Sequence, residues 1–199
     1  MVTGRAAWRR RRGGALVPTA TARGPRHRWR ALALPVALVS VLTACGAAEV
    51  EGVARDRAVE LLTEHVADAM ECVTATAPQL DQVSTDADLA AVLARCADTA
   101  PPTADWNWMH RERPGHPTVV FSSTRTEPVV VLDMMTVASG AAEAGVANAR
   151  VYIVTCWRAT LDTQAGAATA WAEAACNDAL VAAFSQAAEV EPFSELDLA

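Results

Sequence analysis

VVVLDMMTVA, residues 129–138, and VYIVTCWRATL, residues 151–161, decide how this chain reads. Both are runs of Val, Leu, Ile, Met, Thr, Tyr and Trp, side chains that suit a pleated, half-buried surface. A third such run, VVFSS at 119–123, precedes them, so three strands are expected. The connections Thr124–Pro128 and Ser139–Asn148 are short enough to join successive antiparallel neighbours, which makes the sheet a meander. Beyond it, DTQAG at 162–166 has the composition of a turn, and two readings follow. In one, Ala167–Ala174 returns as a fourth strand and Asn177 or Asp178 caps a final helix through Ala188; in the other, a single alanine-rich helix starts near Gly166. The hairpin is preferred, because an Asn-Asp pair is unfavourable inside a helix but suits its start. Residues 191–199, with Pro192, read as a frayed acidic tail.

Upstream the period changes from two to between three and four. Val59, Leu62, Val66, Ala69, Met70 and Val73 form one stripe of a helix over 53–74, and Glu60, Glu64, Asp68 and Glu71 form another that must be solvated. Pro78 breaks it. Thr85 followed by Asp88 has the form of a capping box, and Leu89, Val92, Leu93 and Cys96 then repeat as the buried side of a second helix. Pro101 and Pro102 end that region. The expected fold class is α+β: two N-terminal helices, an antiparallel sheet of three to four strands and a C-terminal helix, in one domain over 53–190.

The 199 residues carry a formal charge of −6, which averages two unlike parts. Nine of the 17 basic residues precede Cys45 and no acidic residue does; from Cys45 onward eight arginines face 23 carboxylates, a net charge of −15. A polyanion of that size is repelled by nucleic-acid phosphates, so nucleic acid is excluded as a partner. The chain contains no lysine, which excludes Schiff-base and P-loop chemistry. Lysine-poor, alanine- and arginine-rich composition resembles that of high-GC genomes such as those of actinobacteria.

The basic N-terminal part, with Arg9–Arg12 in a row and Arg26, Arg28 and Arg30 further on, leads into ALALPVALVSVL at 31–42. A dozen apolar residues fit a signal-peptide core and fall short of the roughly 20 of a spanning helix. The run ends Leu42-Thr43-Ala44-Cys45-Gly46, which resembles the lipobox of bacterial lipoproteins. The resemblance covers the targeting segment only. It implies that residues 1–44 are a removable signal peptide, that Cys45 carries a diacylglyceryl thioether with fatty chains such as palmitate, and that 45–52 tether a domain to the extracytoplasmic face of the cell membrane. Two acyl chains suffice for stable anchoring.

Four cysteines remain for that oxidising compartment: Cys72, Cys96, Cys156 and Cys176. Three pairings exist; Cys72 with Cys96 and Cys156 with Cys176 is the nearest-neighbour choice, each closing a loop of about 20–25 residues worth about 3 kcal/mol in chain entropy. No CxxC pair stands ready for zinc, and no cofactor or metal is expected.

The candidate binding residues lie in WNWMHRER at 106–113: Trp106 and Trp108 for stacking a sugar or apolar ring, with His110, Arg111 and Arg113 for anionic groups. His110, His116 and Glu112 lack a helical HExxH frame, Ser122 and Ser123 have no readable triad, and no nucleotide or hydrolase fingerprint occurs. Asp133, amid apolar residues, is a displaced acid, the partner of Arg150 or Arg158, or a surface-facing residue. No catalytic residue is assigned. The expected role is a lipid-anchored envelope protein that binds a protein, peptide or glycan; a small envelope hydrolase and a structural subunit of a membrane complex are the alternatives.

Overall fold

The computed structural model describes residues 33–100, 115–185 and 188–198, with side chains from residue 47 on. The chain divides into two units, Met1–Ser40 and Val41–Ala199. Of the first, residues 33–40 are helical. The second is an α+β fold whose elements are helix α1 (Ala33–Thr76, entering from the first unit), a 3-10 turn (Ala77–Gln82), helix α2 (Asp86–Leu93), strands β1 (Asp98–Thr99), β2 (Thr118–Thr126), β3 (Val129–Ala144), β4 (Ala147–Asp162) and β5 (Ala167–Glu173), helix α3 (Asp178–Phe184), strand β6 (Glu189–Val190) and a 3-10 turn (Phe193–Glu195).

The expected meander is present as β2-β3-β4-β5, every step antiparallel. Two short strands extend it beyond the three or four expected: β1 lies parallel to β2, and β6 lies parallel to β4 at Ile153 and Val154. The segment 139–148, expected as a connection, instead continues both strands. Sixteen successive pairs run from Val129–Asp162 to Ala144–Ala147, leaving a two-residue turn of Gly145 and Val146. Gly145 has φ +62°, which an L side chain rarely adopts and the primed hairpin turns require.

Strand alternation assigns the faces. Val130, Leu132, Met134 and Ala138 of β3, with Ile153, Trp157, Ala159 and Leu161 of β4, face α1 and its Ala54, Ala58, Leu62, Val66, Ala69 and Val73. A smaller cluster of Val119, Met135, Val154, Cys156 and Leu180 includes α3. Here Asn177 caps α3 by accepting a hydrogen bond from the Leu180 amide, and the hairpin reading of 162–176 holds. The helix ends at Phe184 rather than running through Ala188, with the Ser185 amide closing on Val181.

Two further boundaries differ from expectation, each for the sake of burial. Residues 46–52 are helical rather than a tether, and Val50 is buried against the core. The tail is packed: Phe193 stacks on Trp157 at 5.9 Å and Leu196 is buried. Arg55 forks to Glu189 at 3.1 Å and Glu191 at 2.7 Å, fastening α1 to β6. These contacts, led by the Glu189 hydrogen bond, raise the Arg55 pKa. The Thr85–Asp88 capping box is formed in full, and the hydrogen bonds from Thr85 and Ser84 hold the Asp88 carboxyl below its ordinary value.

Both disulfides join the expected partners, Cys72 to Cys96 and Cys156 to Cys176, across Cα separations of 5.5 and 5.3 Å.

Helix and sheet approach each other tightly at Gly140. A Cβ there would sit 2.7 Å from the Ala58 nitrogen and nearer still to the Ala54 carbonyl oxygen, backbone atoms that have no rotamer in which to retreat. Gly140→Ala should therefore lower stability by about 1–3 kcal/mol, the usual cost of overpacking. Gly52→Ala, in open space on α1, should raise it by about 0.5–1 kcal/mol. Urea denaturation of both variants checks the pair, and equal effects of one sign would contradict the close approach.

Candidate functional site

A gathering of polar side chains that includes two histidines surrounds the Cys72–Cys96 clasp. On α1, His65, Asp68 and Cys72 recur at intervals of three and four and so share one face. The disulfide pulls the end of α2 onto that face, placing Arg95 and Cys96 beside them. β1 then pairs with β2, and the Asp98 carboxylate accepts a hydrogen bond from the His116 amide at 2.8 Å, bringing His116, Pro117 and Thr118 to the same place. Together these residues line a cleft of about 230 Å³.

Both histidines are oriented by backbone carbonyls. The His65 Nδ1 lies 3.1 Å from the Val137 oxygen and the His116 Nε2 lies 3.0 Å from the Ala94 oxygen. A carbonyl only accepts, so each of these nitrogens carries the proton. In the neutral rings Nε2 of His65 and Nδ1 of His116 keep their lone pairs, and each ring has one fixed acceptor. The floor of the cleft is polar as well. Thr118 shares a hydrogen bond of 2.9 Å with Thr136, whose oxygen also accepts from the Trp157 indole at 2.9 Å. Thr155, next in the same row across the sheet, is fully buried and its hydroxyl has no hydrogen-bond partner among the described residues. The clasp itself is seated by Thr76, whose hydroxyl donates to the Cys72 carbonyl at 2.8 Å and lies 3.4 Å from the Cys96 sulfur.

Chemically the cleft offers hydrogen-bond acceptors, one guanidinium and one carboxylate, and its two sulfurs are joined to each other. Such a set has the chemistry to hold a polar ligand by hydrogen bonds and charge. Among the described residues no three His, Cys, Asp or Glu side chains gather as a metal site would require.

The other residues singled out in the sequence are dispersed. Trp106, Trp108, His110, Arg111 and Arg113 lie outside the described residues, as does Glu112. Cys45 lies on the helical backbone of α1, with its side chain outside the description. Asp133 meets Arg158 directly across β3 and β4, its two oxygens accepting from Nε at 2.7 Å and Nη2 at 3.1 Å. That fork, led by the hydrogen bond to Asp133, raises the Arg158 pKa. Ser122 and Ser123 are on the exposed length of β2, far in register from either histidine of the cleft. Arg95 and Thr118 escaped the sequence reading, and Asp68 was read there only as part of a solvated acidic stripe. The signal that finds them is the disulfide: once Cys72 is joined to Cys96, the residues one and two turns before the former and adjacent to the latter must meet.

No helix among the described residues is long and apolar enough to cross a membrane. Compared with family models, curated proteins and solved structures, the chain matches none.

The carbonyl contacts fix two opposite tautomers in one cleft. Nitrogen-15 NMR of the neutral protein should find the ring proton on Nδ1 in His65 and on Nε2 in His116; the reverse assignment at either ring would remove the proposed orientation.

Proposed function

We propose that this chain is an envelope lipoprotein, fixed by acyl chains on Cys45 to the extracytoplasmic face of the cell membrane, where its domain binds a protein, peptide or glycan without catalysis. The observation that carries the anchor is the order of the parts. The lipobox-like Leu42-Thr43-Ala44-Cys45 ends five residues before Val50, the first buried core residue among the described residues. Cutting before Cys45 would therefore remove an apolar leader and leave in place every core side chain among the described residues. Both disulfides belong to the part that follows, which suits an oxidising compartment.

Support for binding rather than turnover comes from how the polar groups are committed. The Asp133 carboxylate is engaged by a two-pronged contact from Arg158. The cleft beside the clasp holds His65 and His116 in fixed orientations with Arg95 and Asp68 at hand, and no hydroxyl or thiol nucleophile is paired with either imidazole among the described residues. Pre-oriented acceptors and a guanidinium are what recognition of a polar peptide or sugar needs.

Two experiments test the parts separately. Intact mass spectrometry of the full chain expressed in a bacterium should show a product starting at Cys45 with a diacylglyceryl adduct, and Cys45→Ala should leave the membrane fraction; a cleaved product that stays membrane-bound without the cysteine contradicts the anchor. For recognition, replacing Trp106 and Trp108 with alanine should abolish partner crosslinking in the native envelope while leaving the melting temperature nearly unchanged. A large loss of stability would return both tryptophans to the core.

A further inference from the structure

The tip of the β3–β4 hairpin is apolar, rigid and placed at the same end of the domain as Cys45. Its residues are Ala144, Gly145, Val146 and Ala147, and Val146 is 100% exposed, the most exposed large apolar side chain among the described residues. A lone exposed valine is ordinary. This one is not alone: Val53, 43% exposed on α1, lines the same groove of about 430 Å³ beneath the tip, together with Val50 and the two alanines.

The tip has little freedom to fold away. Sixteen uninterrupted strand pairs lead up to it, Gly140 is pressed against Ala54 and Ala58, and Arg57 donates to the Ala141 carbonyl at 2.7 Å. The hairpin is thus clamped alongside the first turns of α1 that follow Cys45. Glu49, which shares the groove with Val146, is four residues after Cys45, about 6 Å along a helix. Acyl chains on Cys45 would draw that end of α1 to the bilayer surface, and the tip with it.

We propose that Val146 and its flanking alanines are a second membrane contact, entering the interfacial layer of the same bilayer that holds the acyl chains. The proposal rests on the anchor reading and goes beyond it by giving the domain an orientation. One valine binds a membrane too weakly to act alone, but tethering turns its encounter with lipid into an intramolecular one, so a weak contact suffices to select a pose. Glu49 and Glu143 flank the groove and keep their carboxylates in the headgroup water, which limits the contact to the tip.

The test uses the mature lipoprotein, purified from membranes and reconstituted in phosphatidylcholine vesicles. The four domain cysteines are joined and Cys45 is acylated in that material, so Val146→Cys and, at the opposite end of β3, Thr126→Cys each take one environment-sensitive NBD label. Both sites are exposed, so the fold tolerates the substitutions. The label at 146 should shift to the blue and be quenched by lipids carrying a nitroxide near the headgroup, and the label at 126 should do neither. Flotation with the vesicles and a water-like spectrum at 146 would overturn this proposal alone. Failure to float, with Cys45 unmodified by mass, would overturn the anchor and this contact together.

Discussion

At Gly140 the backbone of β3 touches the backbone of α1 with no side chain between them. Everything on that side of the sheet follows from this approach. Where the layers are nearest, the inward residues are small: Ala138, Gly140 and Ala142 on β3 against Ala54 and Ala58 on α1. Further along, the space between helix and sheet is filled by Leu62, Val66, Leu132, Met134 and Trp157, all fully buried. A helix so positioned must pass close to the far end of the long hairpin, and this is why residues 139–148 are drawn into the strands and residues 46–52 into the helix. Each segment buries apolar surface only because the other is present.

Those segments are also where sequence reading fails, and for the same reason. SGAAEAGVANA at 139–149 is composed of residues that avoid strands, so local preference argues for a loop; small size, not strand propensity, is what the site selects. The strand cores at 129–138 and 151–161, the capping box and the turn at 162–166 were legible because each signal is local and physical: branched and aromatic runs, a hydroxyl before a helix, an aspartate before a turn. The disulfide pairing was legible through proximity along the chain. The packed tail was not, since Phe193 acquires a reason to order only from Trp157, 36 residues earlier and on another element. β1 and β6, two residues each, are below the length at which any pattern can be read.

The cleft is likewise a product of connection rather than motif. Its residues come from α1, from the end of α2 and from the entrance to β2, and nothing in their spacing marks them. A covalent clasp, an Asp98 carboxylate holding a backbone amide and two ring-to-carbonyl contacts assemble them. Under the proposed function, rigidity of this kind would serve recognition, because the groups that would meet a ligand have already given up their conformational freedom. Under the proposed anchoring, the same stapling keeps a small domain intact without the protection of the cytosol.

β4 carries sixteen residues, and its outer edge is divided between two neighbours: β5 covers Trp157–Asp162 and β6 covers Ile153 and Val154. The second neighbour comes from the last dozen residues of the chain, fixed there by Arg55 and by the ring of Phe193. Proteolytic nicking after α3 would uncover unpaired amides and carbonyls on β4, a template on which another copy's strand would add. The acidic terminus is therefore a selvage, the finished border that keeps the woven sheet from joining its neighbours.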